Sequence, residues 1–195
     1  MRTFFFVFFL LSVVLPTQAL AQSFAVVAEI QATNAKGNWK KVSSSAEALL
    51  VLDDGTEVPL EKGMGLDENA LVRTAMARVV IQVGKNEIHL RESAEARVQQ
   101  QGVLQTLGSI YYSVRGAFTV RYGTVEAVVE GTQFEVHGPD PIWVGVMKGK
   151  VRVRTPDGEV LLKKDQKVEV NDAGSLGAVQ DWSVCLDCGE RHGPM

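Results

Sequence analysis

The feature that most constrains this chain is its rhythm. From Phe24 to Val170, apolar runs, most of them roughly four to seven residues long, recur every 8–12 residues or so, and most are separated by Gly, Asn, Asp or Pro. The runs are Phe24–Gln31, Leu49–Leu52, Glu57–Leu60, Ala77–Val83, Glu87–Arg91, Ala94–Gln99, Ala117–Tyr122, Thr124–Glu130, Gln133–His137, Ile142–Met147, Lys150–Arg154, Val160–Lys163 and Lys167–Val170. Several alternate cleanly. Val151 and Val153 point one way and Arg152 and Arg154 the other, so one face is buried and one is wet. Asp53-Asp54-Gly55-Thr56 supplies turn chemistry for a hairpin, and Pro59 implies that its second strand lies at an edge or is short. Helical periodicity is confined to Glu68–Ala75 and a single turn at Val103–Leu107, neither with a convincing cap. The expected fold is all-β, many short strands arranged as a β-sandwich or a β-solenoid-like stack.

With 195 residues, 46% hydrophobic and 22% charged, the chain is ordinary globular material with enough length for one core. A net charge of −3 supplies no electrostatic footprint for nucleic acid. Two Cys and three His exclude disulfide-rich scaffolds and multi-finger zinc modules.

Residues 1–21 read as a secretory signal peptide. Arg2 gives a minimal positive start, Phe4–Leu15 is the apolar stretch, Pro16 breaks it, and Ala19-Leu20-Ala21 is a small-x-small cleavage pattern. Twelve residues at about 1.5 Å each cannot cross a hydrocarbon core of about 30 Å. Cleavage before Gln22 leaves 174 residues with a charge of −4 and no further stretch that could span a membrane, which places the mature protein in the periplasm or outside the cell. Residues 22–62 then supply N-terminal strands, 63–170 the main domain, and 171–195 a tail that carries Trp182 and both cysteines.

A series of ordered landmarks resembles the FecR domain. Leu71-Val-Arg-Thr74 with Ala77-Arg-Val-Val-Ile81 is similar to that family's opening strand pair, and Glu87-Ile-His-Leu90 with Ala96-Arg-Val98 to its next hairpin. Leu107-Gly-Ser-Ile110 looks like its central turn. Ala127-Val-Val-Glu-Gly-Thr-Gln-Phe-Glu-Val136 matches its small-hydrophobic-Gly-Thr-x-Phe-x-Val signature. Val144–Val146 with Lys148-Gly-Lys-Val-Arg-Val153 resembles a further strand pair, and Lys164-Asp-Gln166 stands where the family usually has Gly and Gln. In this signature Gly131 and Gly149 would turn the backbone without a Cβ penalty, Thr132 would hydrogen-bond locally, and Phe134 and Val136 would enter the core. The resemblance covers about residues 63–170, with Glu29–Trp39 as an extra hairpin. The family's founding regulators are inner-membrane anti-sigma factors with a cytoplasmic segment. With its one hydrophobic stretch read as a cleaved signal, this chain is expected to depart from that plan as a stand-alone exported module, for which the resemblance implies sensing or scaffolding by analogy.

One motif carries chemistry, Cys185-Leu-Asp-Cys188. In an oxidising compartment its default is a local disulfide. A zinc reading would use Cys185, Cys188 and His192, three ligands where a structural site wants four, so a second copy would have to complete it. A redox reading is opposed by Asp187, whose charge disfavours the thiolate. His89 is expected on an outer strand face and His137 at a strand end, neither beside a Ser or Cys in a nucleophile setting. Glu126 and Glu130 share one strand face, where solvated carboxylates are commoner than catalytic ones. Tyr111, Tyr112, Phe118 and Tyr122 form an aromatic group near Arg115 and Arg121. Tyr111, Tyr112, Arg115 and Arg121 are the candidate partner surface, with core plus rim as the plainer account of the same group. Trp39 and Trp143 are expected to pack as apolar bulk, and Trp182 to pin the tail.

The expected function is a non-enzymatic binding or scaffold module without a cofactor, engaging another cell-envelope protein in sensing or regulation. A thiol or metal protein working through Cys185 and Cys188, and a cell-wall glycan binder working through Tyr111, Tyr112 or Arg115, are the alternatives.

Overall fold

A computed structural model describes residues 23–34, 37–171, 173–184 and 191–192. Among these residues every regular element is a strand, so the fold is all-β. The strands form two layers. In spatial order the first layer runs β1 (Ala25–Thr33), bordered by β2 (Trp39–Val42) and β5 (Gly65–Leu66), then β7 (Ala77–Val83), β8 (Asn86–Leu90), the second half of β10 (Gly102–Ser113), β13 (Gln133–Gly138), β14 (Ile142–Lys148), β17 (Gln166–Val170) and β18 (Gln180–Asp181). The second runs β4 (Glu57–Glu61), β3 (Ser44–Val51), β6 (Leu71–Thr74), β9 (Glu95–Gln99), the first half of β10, β11 (Ala117–Tyr122), β12 (Val125–Glu130), β15 (Lys150–Thr155) and β16 (Gly158–Lys163). A separate short pair joins β19 (Ser183–Val184) to β20 (Arg191–His192). Because β10 belongs to both layers, the hydrogen-bonded network is continuous and curls over on itself. The described pairings are antiparallel except β10 with β11.

The core lies between the layers. Ala77, Val79, Ile81 and Val83 of β7 meet it on one side, while Val125, Ala127 and Val129 of β12 and Val151 and Val153 of β15 contribute from the other. Alternate residues point outward, as a period of two requires. A one-residue slip would carry each buried set to solvent, at about 1.5–3 kcal/mol for each large side chain, and this fixes the register. The same pressure overrides the two helical windows. Glu68–Ala75 contains β6, with Val72 and Thr74 buried, and Val103–Leu107 lies within β10. The hairpin expected at Leu49–Leu60 forms with Leu49 opposite Pro59. In the pairings described β4 is the outermost strand of its layer, where a missing N–H costs no ladder bond. β1 and β2 close the N-terminal hairpin with Thr33 opposite Trp39.

The chain passes between layers repeatedly, and each passage leaves backbone groups in need of partners. Buried polar side chains meet that need. Thr74, at the passage from β6 to β7, donates through Oγ1 to the Arg91 carbonyl (2.6 Å) and accepts from the Ala94 amide (2.9 Å) at the return passage from β8 to β9. Thr132, between β12 and β13, donates to the Lys150 carbonyl (2.9 Å) at the neighbouring passage from β14 to β15. Its bond thus reaches 18 residues along the chain and is not the local one expected from sequence. Gln105 serves the point where β10 changes layer: its amide donates to the carbonyls of Gly108 (2.8 Å) and Val136 (3.1 Å), and its oxygen accepts from Tyr112 Oη (2.9 Å).

Gly131 (φ +72°) and Gly149 (φ +87°) occupy two of these passages. They therefore turn the chain between layers, and the segments Val144–Val146 and Lys150–Val153 lie in different layers instead of pairing with one another. Asp165, at the position where the resemblance calls for glycine, has φ +61°, a left-handed conformation that glycine adopts without steric cost.

Candidate functional site

Five polar or charged residues are buried among the described residues: Thr74, Gln105, Ser109, Thr132 and Glu135. Three are the passage clamps. The other two, Ser109 and Glu135, sit side by side on the outward face of the first layer, where no backbone passage explains them. They mark the candidate site.

Strand register assembles it. Tyr111, Glu135, Gly145 and Lys167 follow one another across β10, β13, β14 and β17, and Ser109, His137, Trp143 and Glu169 form the adjacent row. Glu135 is fully buried. Its carboxylate faces the Arg91 guanidinium, with Nε to Oε1 at 3.2 Å and Nη2 to Oε2 at 3.5 Å. Arg91 Nε and Glu135 Oε1 have no hydrogen-bond partner of good geometry, so attraction of charges more than directed bonding holds this pair. Ser109 Oγ shares a 2.6 Å hydrogen bond with His137 Nδ1, and the His137 ring stacks on Trp143 at 5.3 Å. Trp143 in turn packs against Trp182 at 5.3 Å. One strand pair away, His89 meets Tyr111 edge-on at 5.0 Å and Glu87 at 3.1 Å. Burial raises the Tyr111 phenol above its ordinary range; the Ser113 hydrogen bond opposes this and the Glu87 charge adds to it. Beside the row lies a cleft of about 370 Å³, with Gly108 and Gly138 in its lining, Arg91 and Glu92 on one side, and His137 and Pro139 on the other.

The outward face of the second layer is different. Arg73 bridges Glu57 and Glu95, the latter at 2.6 Å. A second ladder runs Arg121–Glu126 (3.0 Å), Glu126–Arg154 (3.6 Å), Arg154–Glu159 (3.3 Å) and Glu159–Arg152 (2.6 Å). These exposed pairs contribute about 0–1 kcal/mol each and neutralise one another.

The four residues expected to share a partner surface are therefore dispersed. Tyr111 lies on the first layer's outward face. Tyr112 is fully buried between the layers, stacked on Phe134 at 4.9 Å and near Phe118 at 6.4 Å, with its phenol pushed well above the ordinary range by burial. It presents nothing to a partner. Arg115 is exposed in the turn after β10, where its amide donates to Asn86 Oδ1. Arg121 belongs to the ion ladder of the opposite face. The physical reason is parity: adjacent residues on a strand face opposite ways, and β10 and β11 pair only where β10 lies in the second layer. Phe134 and Val136 are buried as expected, and Tyr122 is buried against Gly138. Trp39 lies under the Arg78 guanidinium at 4.1 Å. Glu126 is half-buried within the ladder and Glu130 is exposed.

Sequence reasoning missed Glu135 and the Ser109–His137 contact. Ser109 and His137 are 28 residues apart in the chain, and their contact follows from a register that only the pairing of β10 with β13 supplies. Cys185 and Cys188, like residues 1–21, lie outside the described residues. Among the described residues no three His, Cys, Asp or Glu side chains are grouped to hold a metal, and no helix is long and apolar enough to cross a membrane.

No family model and no curated protein matches the chain. Two crystal structures of a proposed anti-sigma factor from Parabacteroides distasonis, at 1.65 and 2.50 Å resolution, align with 22% identity and a TM-score of 0.44 in each case. Each alignment covers 49% of this chain and 51% of that one, so the chain spans about half the length of the solved structures it matches.

Proposed function

We propose that this protein is a non-enzymatic, exported binding module of FecR type that engages a cell-envelope protein through the outward face of its first layer. The observation that carries this reading is Glu135, a fully buried carboxylate on the outside of a sheet, held by Arg91, with Tyr111 opposite it in register and His137 and Trp143 in the adjacent row. Interfaces favour aromatic residues and Arg over Lys and Glu, and a face already desolvated around Tyr111, His137 and Trp143 loses less on docking than the ion ladder opposite. The Gly-Thr-x-Phe-x-Val signature at 131–136 supports a sensing or regulatory role, and the Arg2-to-Ala21 pattern supports export with cleavage before Gln22.

Photo-crosslinking in living cells tests the reading. A crosslinking residue is placed at His89 and Tyr111 on one face, and at Arg152 and Leu161 on the other. The expected result is one discrete envelope protein captured from His89 and Tyr111 alone. Capture from Arg152 and Leu161 alone would overturn the assignment of the face, and intracellular retention with an uncut N-terminus would overturn the exported part.

A further inference from the structure

After β17 the Gly174 amide donates to the Asn171 carbonyl and the Asn171 amide to the Ser175 carbonyl, and the chain then runs back along that strand. Leu176 bridges Val170, the Gly177 amide donates to the Glu169 carbonyl (2.8 Å), β18 pairs with Lys167 and Gln166, and the Trp182 amide donates to the Asp165 carbonyl (2.7 Å). Leu176 is half-buried against the core, but residues 177–181 are all exposed, so beyond that first contact the strap buries nothing until Trp182. Trp182 is 4% exposed, and its indole lies on Gly145, where any Cβ would overlap the ring. Valines 144 and 146 on either side face the core. Gly145 therefore makes a slot in the outward face, and the slot is shaped for one large aromatic side chain.

From this geometry we infer that the edge of β17 together with the Gly145 slot is a peptide-docking groove, filled in cis by the chain's own strap. The partner that fits in trans is an extended segment with two solvent-facing polar residues followed by a large aromatic, the pattern Gln180-Asp181-Trp182 displays. Main-chain pairing along β17 supplies affinity for any extended segment, and the slot supplies selection for the aromatic. The strap is suited to exchange because few hydrogen bonds, the half-buried Leu176 and one fully buried side chain, Trp182, hold it, which places it among the locally opening parts of a fold. A tethered strap competes at an effective concentration of about millimolar, so the groove of the intact chain is closed to weak ligands. This inference goes beyond the proposed binding face and does not rest on it: crosslinking at His89 and Tyr111 can fail while the groove binds.

The test uses the full chain carrying Trp182→Ala and a synthetic peptide of residues Leu176–Val184. The variant is expected to bind the peptide, the wild-type chain to bind it at least tenfold more weakly, and the double variant Trp182→Ala, Gly145→Val not to bind. A folded Trp182→Ala chain that ignores the peptide, or a wild-type chain that binds it equally well, overturns the proposal. So does a Trp182→Ala chain that no longer unfolds cooperatively, since a displaceable occupant cannot be required by the core. Hydrogen exchange of the wild type gives an independent reading. The Gly177 and Trp182 amides are expected to exchange at least tenfold faster than those of β13, and exchange of both at the rate of β13 contradicts a releasable strap.

Discussion

Replacing Gln105 by Leu removes the clamp at the point where β10 changes layers, with little change in volume. The side chain is 1% exposed and serves three buried groups: the carbonyls of Gly108 and Val136 and the hydroxyl of Tyr112. A buried group stripped of its partner costs about 1–3 kcal/mol, with carbonyls at the low end because a second lone pair can be satisfied elsewhere. Three such losses, offset by about 1 kcal/mol from burying an apolar side chain, give an expected destabilisation of about 3 kcal/mol, or about 6–12 °C in Tm at this chain length. Tyr112→Phe orphans only the Gln105 oxygen and should cost about 1–2 kcal/mol. The double variant has no hydroxyl left to strand, so its cost should fall below the sum of the two by about 2 kcal/mol. Urea unfolding followed by tryptophan fluorescence, with unchanged m-values, reads all three. A Gln105→Leu cost below about 1 kcal/mol, or strict additivity, would refute the reasoning that a polar clamp supports the change of layer.

Further outcomes follow from other sites. Arg91→Ala leaves the Glu135 carboxylate buried without its cation and should cost about 3–5 kcal/mol in chemical denaturation, whereas the double variant Arg91→Met, Glu135→Leu should cost much less. Gly131→Ala meets only the left-handed backbone and should cost about 1 kcal/mol, while Gly149→Ala also brings its Cβ to 3.1 Å from the Gly131 carbonyl and should cost more; equal Tm losses would contradict the packing of the two passages. Asp165→Gly relieves a left-handed residue and should leave Tm unchanged or slightly raised. For Glu95, burial raises the carboxyl pKa, but hydrogen bonds from Arg73 and Thr106 and the charges of Arg73 and Arg97 outweigh it and hold the value below the ordinary range. A depressed folded value means stability that is complete above the unfolded pKa and is lost as pH falls through the folded one, so Glu95→Gln should flatten the acid limb of the stability profile and leave its neutral limb parallel to wild type.

The alternation in β7, β12 and β15 made the core legible from sequence, because a period of two leaves a buried set no choice of face. Gly131, Gly149 and the Gly-like Asp165 were legible as backbone punctuation but not in their consequence. Whether a turn joins partners in one layer or carries the chain to the other depends on which strands pair later. The aromatic group Tyr111, Tyr112, Phe118 and Tyr122 misled for the same reason: proximity along the chain says nothing of facing, and β10 divides its two tyrosines between core and surface. Glu135 could have been suspected from its position between Phe134 and Val136, but the groups placed around it, Arg91 as its ion partner and Tyr111 and Gly145 opposite it in register, come from distant parts of the chain that no local pattern joins.

The central claim, that the outward face of the first layer is the working surface, is tested most directly by the affinity of the partner captured from that face. Tyr111→Ala should weaken binding at least tenfold, and Leu161→Ala on the opposite face should leave it within about twofold, with both variants still unfolding cooperatively above the assay temperature. The reverse pattern, or equal loss from both substitutions, would contradict it.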